Sequence, residues 1–139
     1  MNSEQILIKL KKDGHRFTKI RKSILDLLIK EPKPFSPLQL QKILLKNKIS
    51  ANKTTIYREL SFLRDQNIVV ELQFKDNVKR YEIITEKHHH HIVCLNCDRV
   101  EDVELKKDLQ REEKNIAKNK RFKIINHSLE FYGVCNNCA

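Results

Sequence analysis

The sequence predicts an α+β chain whose helical first half closes in a β-hairpin and whose smaller second half mixes one helix with short strands. Three observations predict it. Apolar stripes at helical spacing occupy much of residues 6–63, and two β-like runs follow, at 68–74 and 80–84. The stretch Lys87–Cys97, KHHHHIVCLNC, runs four histidines into a Cys-x-x-Cys pair, and a second such pair ends the chain at Cys135 and Cys138. The charge is uneven: residues 1–84 carry 18 Lys+Arg against 9 Asp+Glu, and residues 85–139 carry 10 against 9. The division expected is a first domain at 1–84, a hinge at 85–87 and a second domain at 88–139.

Ser3 is expected to cap a first helix with Ile6, Leu7 and Leu10 inward, ending near Gly14. Thr18 caps a second, in which Ile20, Ile24, Leu27 and Leu28 fall at i, i+4, i+7 and i+8, and Glu31-Pro32 stops it. Ser36-Pro37 supplies a cap and an N1 proline for a third helix with Leu40, Ile43 and Leu44 inward. Residues 52–67 form a fourth, with Ile56, Leu60 and Leu63 buried. Lys53, Thr54, Thr55, Tyr57 and Arg58 crowd the first turns of its other faces, as a recognition helix requires. Cations neutralise phosphates, hydroxyls bond phosphate oxygens, and a tyrosine meets bases or thymine methyls. Asp76-Asn77 turns the hairpin between the two β-like runs. Helices closed by such a hairpin make a winged helix-turn-helix, facing a polyanion with its basic surface. A lysine-rich surface that merely solvates a small helical domain is the competing reading of the charge.

Forty per cent hydrophobic content supports a core, and two glycines with three prolines argue against long disorder. No signal-peptide core and no membrane-spanning run is present, so a cytosolic setting with reduced thiols is expected. The two Cys-x-x-Cys pairs, 37 residues apart, then read as a closed tetrahedral zinc site formed by Cys94, Cys97, Cys135 and Cys138. A thioredoxin-like pair leaves the second pair unexplained, and a double disulfide belongs to a secreted domain.

Between the knuckles, Arg99–Leu105 reads as a strand and Lys106–Lys120 as a helix with Leu109 and Ile116 inward. Phe122–Ile125 and Ser128–Val134 read as further strands, and Leu129, Phe131 and Val134 offer a dimer surface. Side chains alternate along an extended strand, so His88 and His90 face one side while His89 and His91 face the other. Carboxylate or imidazole partners for them are Glu82, Asp102 and His127. His15 reads as an isolated surface residue.

With these residues the chain resembles the ferric uptake regulator (Fur) superfamily, which includes zinc-, manganese-, nickel- and peroxide-sensing members. The motifs are Thr18-x-x-Arg21, the Thr54–Leu60 segment TTIYREL, the His88–His91 run with Cys94-x-x-Cys97, Asn126–Leu129, and Tyr132–Cys135 with Cys138. The resemblance covers essentially the whole chain. It implies a winged-helix domain, a dimerisation domain, and a homodimer that binds a palindromic AT-rich operator when metallated. It places Tyr57 and Arg58 on the recognition helix and Arg16 where a basic residue reaches the minor groove. Cys94, Cys97, Cys135 and Cys138 match structural zinc ligands. Glu82, His89, His91 and Asp102 match a regulatory site for a second divalent metal (Zn2+, Fe2+ or Mn2+). His88, His90 and His127 match a further site.

Three departures stand out. Where the family commonly has a histidine before the third helix, this chain reads Pro34-Phe35-Ser36. His90 stands where many members have aspartate. Gln110 occupies the place of a helix glutamate, with Asp108 or Glu112 as neighbours that an indel could bring there. The reading is a metal-responsive repressor of double-stranded DNA, without a membrane, without a small-molecule substrate beyond metal ions, and not an enzyme, since no general base stands beside an open metal. Alternatives are an iron-dependent peroxide sensor on the same fold and a metal-binding scaffold with no DNA role.

Overall fold

A computed structural model describes residues 2–85, 88–107 and 109–139. The chain divides into two compact units, Met1–Glu86 and Lys87–Ala139. Two residues of the expected hinge, 86 and 87, lie outside the described residues, as does Asp108.

The first unit contains α1 (Ser3–Lys12), α2 (Lys19–Lys30), α3 (Pro37–Lys46) and α4 (Lys53–Asp65), then β1 (Val69–Gln73) and β2 (Lys79–Ile83). Each helix begins at a short polar side chain that accepts an otherwise orphaned N–H. Thr18, Ser36 and Asn52 cap α2, α3 and α4. Asn2, not Ser3, caps α1. A capping box needs Glu or Gln three residues on; Asn2 finds Gln5 there, whereas Ser3 would find Ile6.

Ile24, Leu28, Leu40, Ile56, Leu60 and Leu63 are fully buried in one cluster. Leu25, outside the expected stripe, is fully buried as well, while Ile20 and Leu27 only edge the core. The cause is that α2 packs against α1, α3 and β2, so its buried arc is wider than one stripe. Each such leucine contributes about 2 kcal/mol by leaving water.

The hairpin β1–β2 pairs antiparallel from Val69↔Ile83 to Gln73↔Lys79, and Asn77 takes the left-handed turn at φ 60°. Phe35 extends it by a bridge: its N–H donates to Tyr81 O at 3.0 Å, and its carbonyl accepts from Tyr81 N at 2.8 Å. The Tyr81 hydroxyl donates to Glu71 Oε1 at 2.6 Å, and Arg64 from the end of α4 reaches the same oxygen at 3.2 Å. Burial first, then this bond to Glu71, holds the phenol well above its ordinary pKa, so it stays a donor. The wing is thereby latched to the helix that precedes it.

In the second unit β3 (His90–Cys94) is central, with β4 (Val100–Val103) antiparallel on one edge and β5 (Glu130–Gly133) parallel on the other. The helix α5 (Gln110–Lys120) lies between β4 and β5 in sequence. It starts four residues later than expected, at Gln110, and Leu109 at its N-cap makes no side-chain cap bond. Ile116 is exposed; the half-buried residues at i, i+4 and i+8 are Leu109, Glu113 and Ala117. Phe122–Ile125 is not a strand. Alternation alone makes no strand without a ladder partner, and among the described residues this segment pairs with neither edge of the β4–β3–β5 sheet.

Tyr81→Phe is expected to destabilise the first unit by about 1.5–3 kcal/mol, the net worth of a bond to a charged acceptor. Urea unfolding checks this: the midpoint falls while the slope is unchanged.

Candidate metal centres and nucleic-acid interface

Cys94 ends β3, Cys97 lies in the turn after it, and Cys135 and Cys138 follow β5. Because Cys94 is in register with Gly133 across the parallel β3–β5 pair, the second knuckle returns beside the first. The four Sγ atoms lie within 4.8 Å of one another and form no disulfide. Cys97 Sγ and Cys135 Sγ are 3.8 Å apart, matching the edge of about 3.8 Å in a tetrahedron with Zn–S bonds near 2.3 Å. Backbone N–H groups aim into the cluster, led by Cys135 N at 3.4 Å from Cys94 Sγ. These donors, first Cys135 and then Cys97 and Asn96, draw the Cys94 thiol down to about 6. Cys138 is pushed up to about 12, chiefly by its hydrogen bond with Cys135. A second thiolate is hard to form so near the first without a cation. The donor set fits a structural zinc ion.

His89, His91 and Asp102 group on one face of the second unit. His91 is in register with Asp102 across β3–β4, and their Nε2 and Oδ1 atoms are 3.6 Å apart. His89 Nε2 lies 3.9 Å from the same oxygen. Two imidazoles and one carboxylate form a borderline-metal triad. Glu82, the expected fourth donor, is on β2 of the first unit, in register with Val70.

His88, His90 and His127 gather on the other face, their ligand nitrogens within 4.8 Å. His88 Nε2 and His127 Nε2 are 3.1 Å apart. Glu113 on α5 bonds His127 Nδ1. A carboxylate on Nδ1 fixes the tautomer and leaves Nε2 as the donor, the usual support of a ligating histidine. Gln110, the candidate read from the sequence, opens α5 and lines a surface depression with Lys107, Arg111, Lys114 and Asn115. Sequence reasoning missed Glu113. Its signal was a charged residue between Leu109 and Ile116, in the stripe expected to face inward.

In the first unit, α4 presents Lys53, Thr54 and Arg58 exposed and Thr55 and Tyr57 half-buried around its N-terminal turns. Lys53 Nζ stands 5.8 Å over the Tyr57 ring. No acidic residue lies in the first turn, so helix dipole and lysine both favour an incoming anion. Arg16 is exposed in the loop between α1 and α2.

The profile of the ferric uptake regulator family matches residues 12–132. The chain belongs to that family. Membership sets its class, that of metal-responsive transcriptional regulators. Among solved structures, the ferric uptake regulator of Helicobacter pylori, described as having three functional metal binding sites, superposes with a TM-score of 0.78 at 26% identity, covering 97% of this chain and 89% of that one. That of Vibrio cholerae gives 0.78 at 32% identity, covering 91% of this chain and 97% of that one. The peroxide operon regulator of Bacillus subtilis is 31% identical over 98% of this chain and 92% of its own. Among the described residues the second unit of this Fur-family chain thus gathers the four thiols, the His89–His91–Asp102 triad and the His88–His90–His127 group, and the four-thiol cluster has the closed donor set that suits a structural zinc. Among the described residues no helix is long and apolar enough to cross a membrane.

Cys138→Ser is expected to abolish one equivalent of bound zinc and to lower the melting temperature of the second unit. His127→Ala is expected to retain that zinc. Elemental analysis of both purified variants, with thermal melts, checks the pair.

Proposed function

We propose that the chain is a repressor whose homodimer binds a palindromic AT-rich operator when a divalent ion fills the regulatory site. The observation that carries this is the pairing of a lysine-led recognition helix, with no acid in its first turn, in one unit with the His89–His91–Asp102 triad in the other. Cys94, Cys97, Cys135 and Cys138 hold zinc and keep the β3–β5 sheet assembled. Glu82 is the fourth regulatory ligand, and it is the donor that the reader unit supplies. The ion contributes charge on which these four side chains converge. Bringing Glu82 to the triad restricts the reader unit, so that two copies present their α4 helices at the spacing of successive major grooves.

For the ion to switch the protein it must bind the DNA-competent arrangement more tightly than the other. On the DNA, Tyr57 and Arg58 read base edges, Lys53, Thr54 and Thr55 meet phosphates, and Arg16 enters the minor groove. Phe131 and Val134, exposed on and beside β5, support self-association through the second unit. His88, His90 and His127 form an auxiliary site. The chemistry proposed is binding and release in the cytoplasm, with no turnover. One ferric uptake regulator, that of Neisseria gonorrhoeae, and the peroxide operon regulator of Bacillus subtilis are each 31% identical to this chain. The peroxide reading is therefore separated by experiment: iron followed by peroxide would add oxygen to His89 or His91, visible by mass spectrometry.

The proposal is tested by gel shift on a duplex selected from random sequence with the wild-type protein. Adding Zn2+, Fe2+ or Mn2+ to protein holding only its structural zinc should tighten binding at least tenfold for one of the three. His91→Ala should erase that gain while leaving the structural zinc in place. Operator affinity indifferent to the second metal would sink the proposal. Tyr57→Ala should cost about 1–3 kcal/mol and relax sequence preference, whereas Lys53→Ala should weaken all duplexes alike and reduce the salt slope by about 1.

A further inference from the structure

We propose that Arg21 and Glu59 form a positioning pair that sets where Arg16 sits relative to the reading face of α4. The inference rests on the DNA-binding reading above and names a part of that site which the contact residues do not include.

Glu59 is the difficulty that the pair resolves. It follows Arg58 on the helix proposed to meet DNA, where a bare carboxylate would repel phosphates. In the structure it is turned inward, its side chain only 15% exposed, and Arg21 from α2 grips it with two prongs. Nε donates to one carboxylate oxygen at 2.9 Å and Nη2 to the other at 3.3 Å. The guanidinium lies 4.1 Å over the ring of Phe62, also on α4. Its Nη1 donates to the backbone carbonyl of Arg16.

One side chain therefore ties the helix to the loop that carries Arg16. The loop is pinned twice more. His15, expected on the surface, packs edge-on against Phe62 with ring centroids 4.9 Å apart. Thr18 accepts the Arg21 N–H at 3.0 Å. Gly14, at φ +91°, supplies the turn that lets the chain leave α1 into this loop.

Arg21 is itself a poor phosphate ligand, being buried with its side chain 10% exposed. Its part is to fix a backbone carbonyl, and through it the point from which the exposed Arg16 side chain departs. A planar fork does this where an ammonium would not, because two donors go to Glu59 while a third reaches the loop.

The test is a double-mutant cycle on operator affinity: wild type, Arg16→Ala, Glu59→Gln and both together, measured by gel shift on the selected duplex at two salt concentrations. The sign discriminates. Removing a negative charge near DNA should by general electrostatics tighten binding, whereas loss of positioning should weaken it, by about 5- to 30-fold. In the Arg16→Ala background the same substitution should change affinity less than twofold. Effects that multiply, or a Glu59→Gln variant that binds as well as wild type, would overturn the inference.

Amide hydrogen exchange supplies the second reading. Residues 15–18 should exchange faster in Glu59→Gln, and also in Arg21→Lys, which keeps the charge and loses the fork. Unchanged exchange in both would overturn it too. If the wild-type chain binds no duplex, the DNA-binding reading fails and this inference with it; binding with multiplying effects removes only this inference.

Discussion

The constraint on which the second unit depends is that β3 has two partners of opposite sense. An antiparallel neighbour can follow after a tight turn, and β4 does so through the Cys97 knuckle. A parallel neighbour requires a crossover, and the chain between β4 and β5 provides it, with α5 inside. That crossover places Gly133 beside Cys94 and so brings the last two cysteines to the first two. It also carries Glu113 to His127. The period of two along β3 then separates the histidines into two groups, with His91 toward Asp102 and His90 toward His127.

The two units are stabilised by different physics. The first buries a contiguous apolar core of helix and wing residues, and their removal from water stabilises it. In the second, among the described residues, the buried apolar side chains are Val93, Cys94 and Val100, and α5 buries none of its own. So few contacts cannot offset the ordering of some fifty residues. A four-thiolate zinc at the cysteine cluster would supply what the core lacks, because its binding free energy is folding free energy when no site exists in the unfolded chain. The placement of α5, with Ile116, Phe122 and Ile125 exposed in one chain, leaves apolar surface of the kind that a second copy covers.

What could be read in advance divides along the same line. Local chemistry announced two of the helix starts: Thr18 and Ser36 each cap as a short polar side chain should, whereas Asn52, read as part of the fourth helix, is its cap. The cysteine pairs and the alternation of the histidines were equally visible, since both follow from spacing along one segment. The non-local features were not. Phe122–Ile125 has strand composition but no ladder partner, and no window of sequence reports a missing partner. Glu113 could be recognised only once α5 was placed over His127, because the pairing spans 14 residues and a turn of unknown path. His15 read as an isolated surface residue until Phe62 arrived from another element.

The departure at Pro34-Phe35-Ser36 shows how a donor can vanish without disturbing its scaffold. Phe35 is buried and bridges Tyr81 in both directions, and Ser36 closes a capping box with Gln39. Both are structural duties that a histidine at the neighbouring position neither helps nor hinders. Pro34 suits them, because a residue fixed near φ −65° stiffens the approach to the bridge. What changes is the proposed metal chemistry alone. With Glu82, His89, His91 and Asp102 as the proposed protein donors, four side chains would remain, which is the number a tetrahedral ion takes. On the proposed reading the departure changes only how many side chains the regulatory site offers, while the fold that carries the remaining donors is untouched.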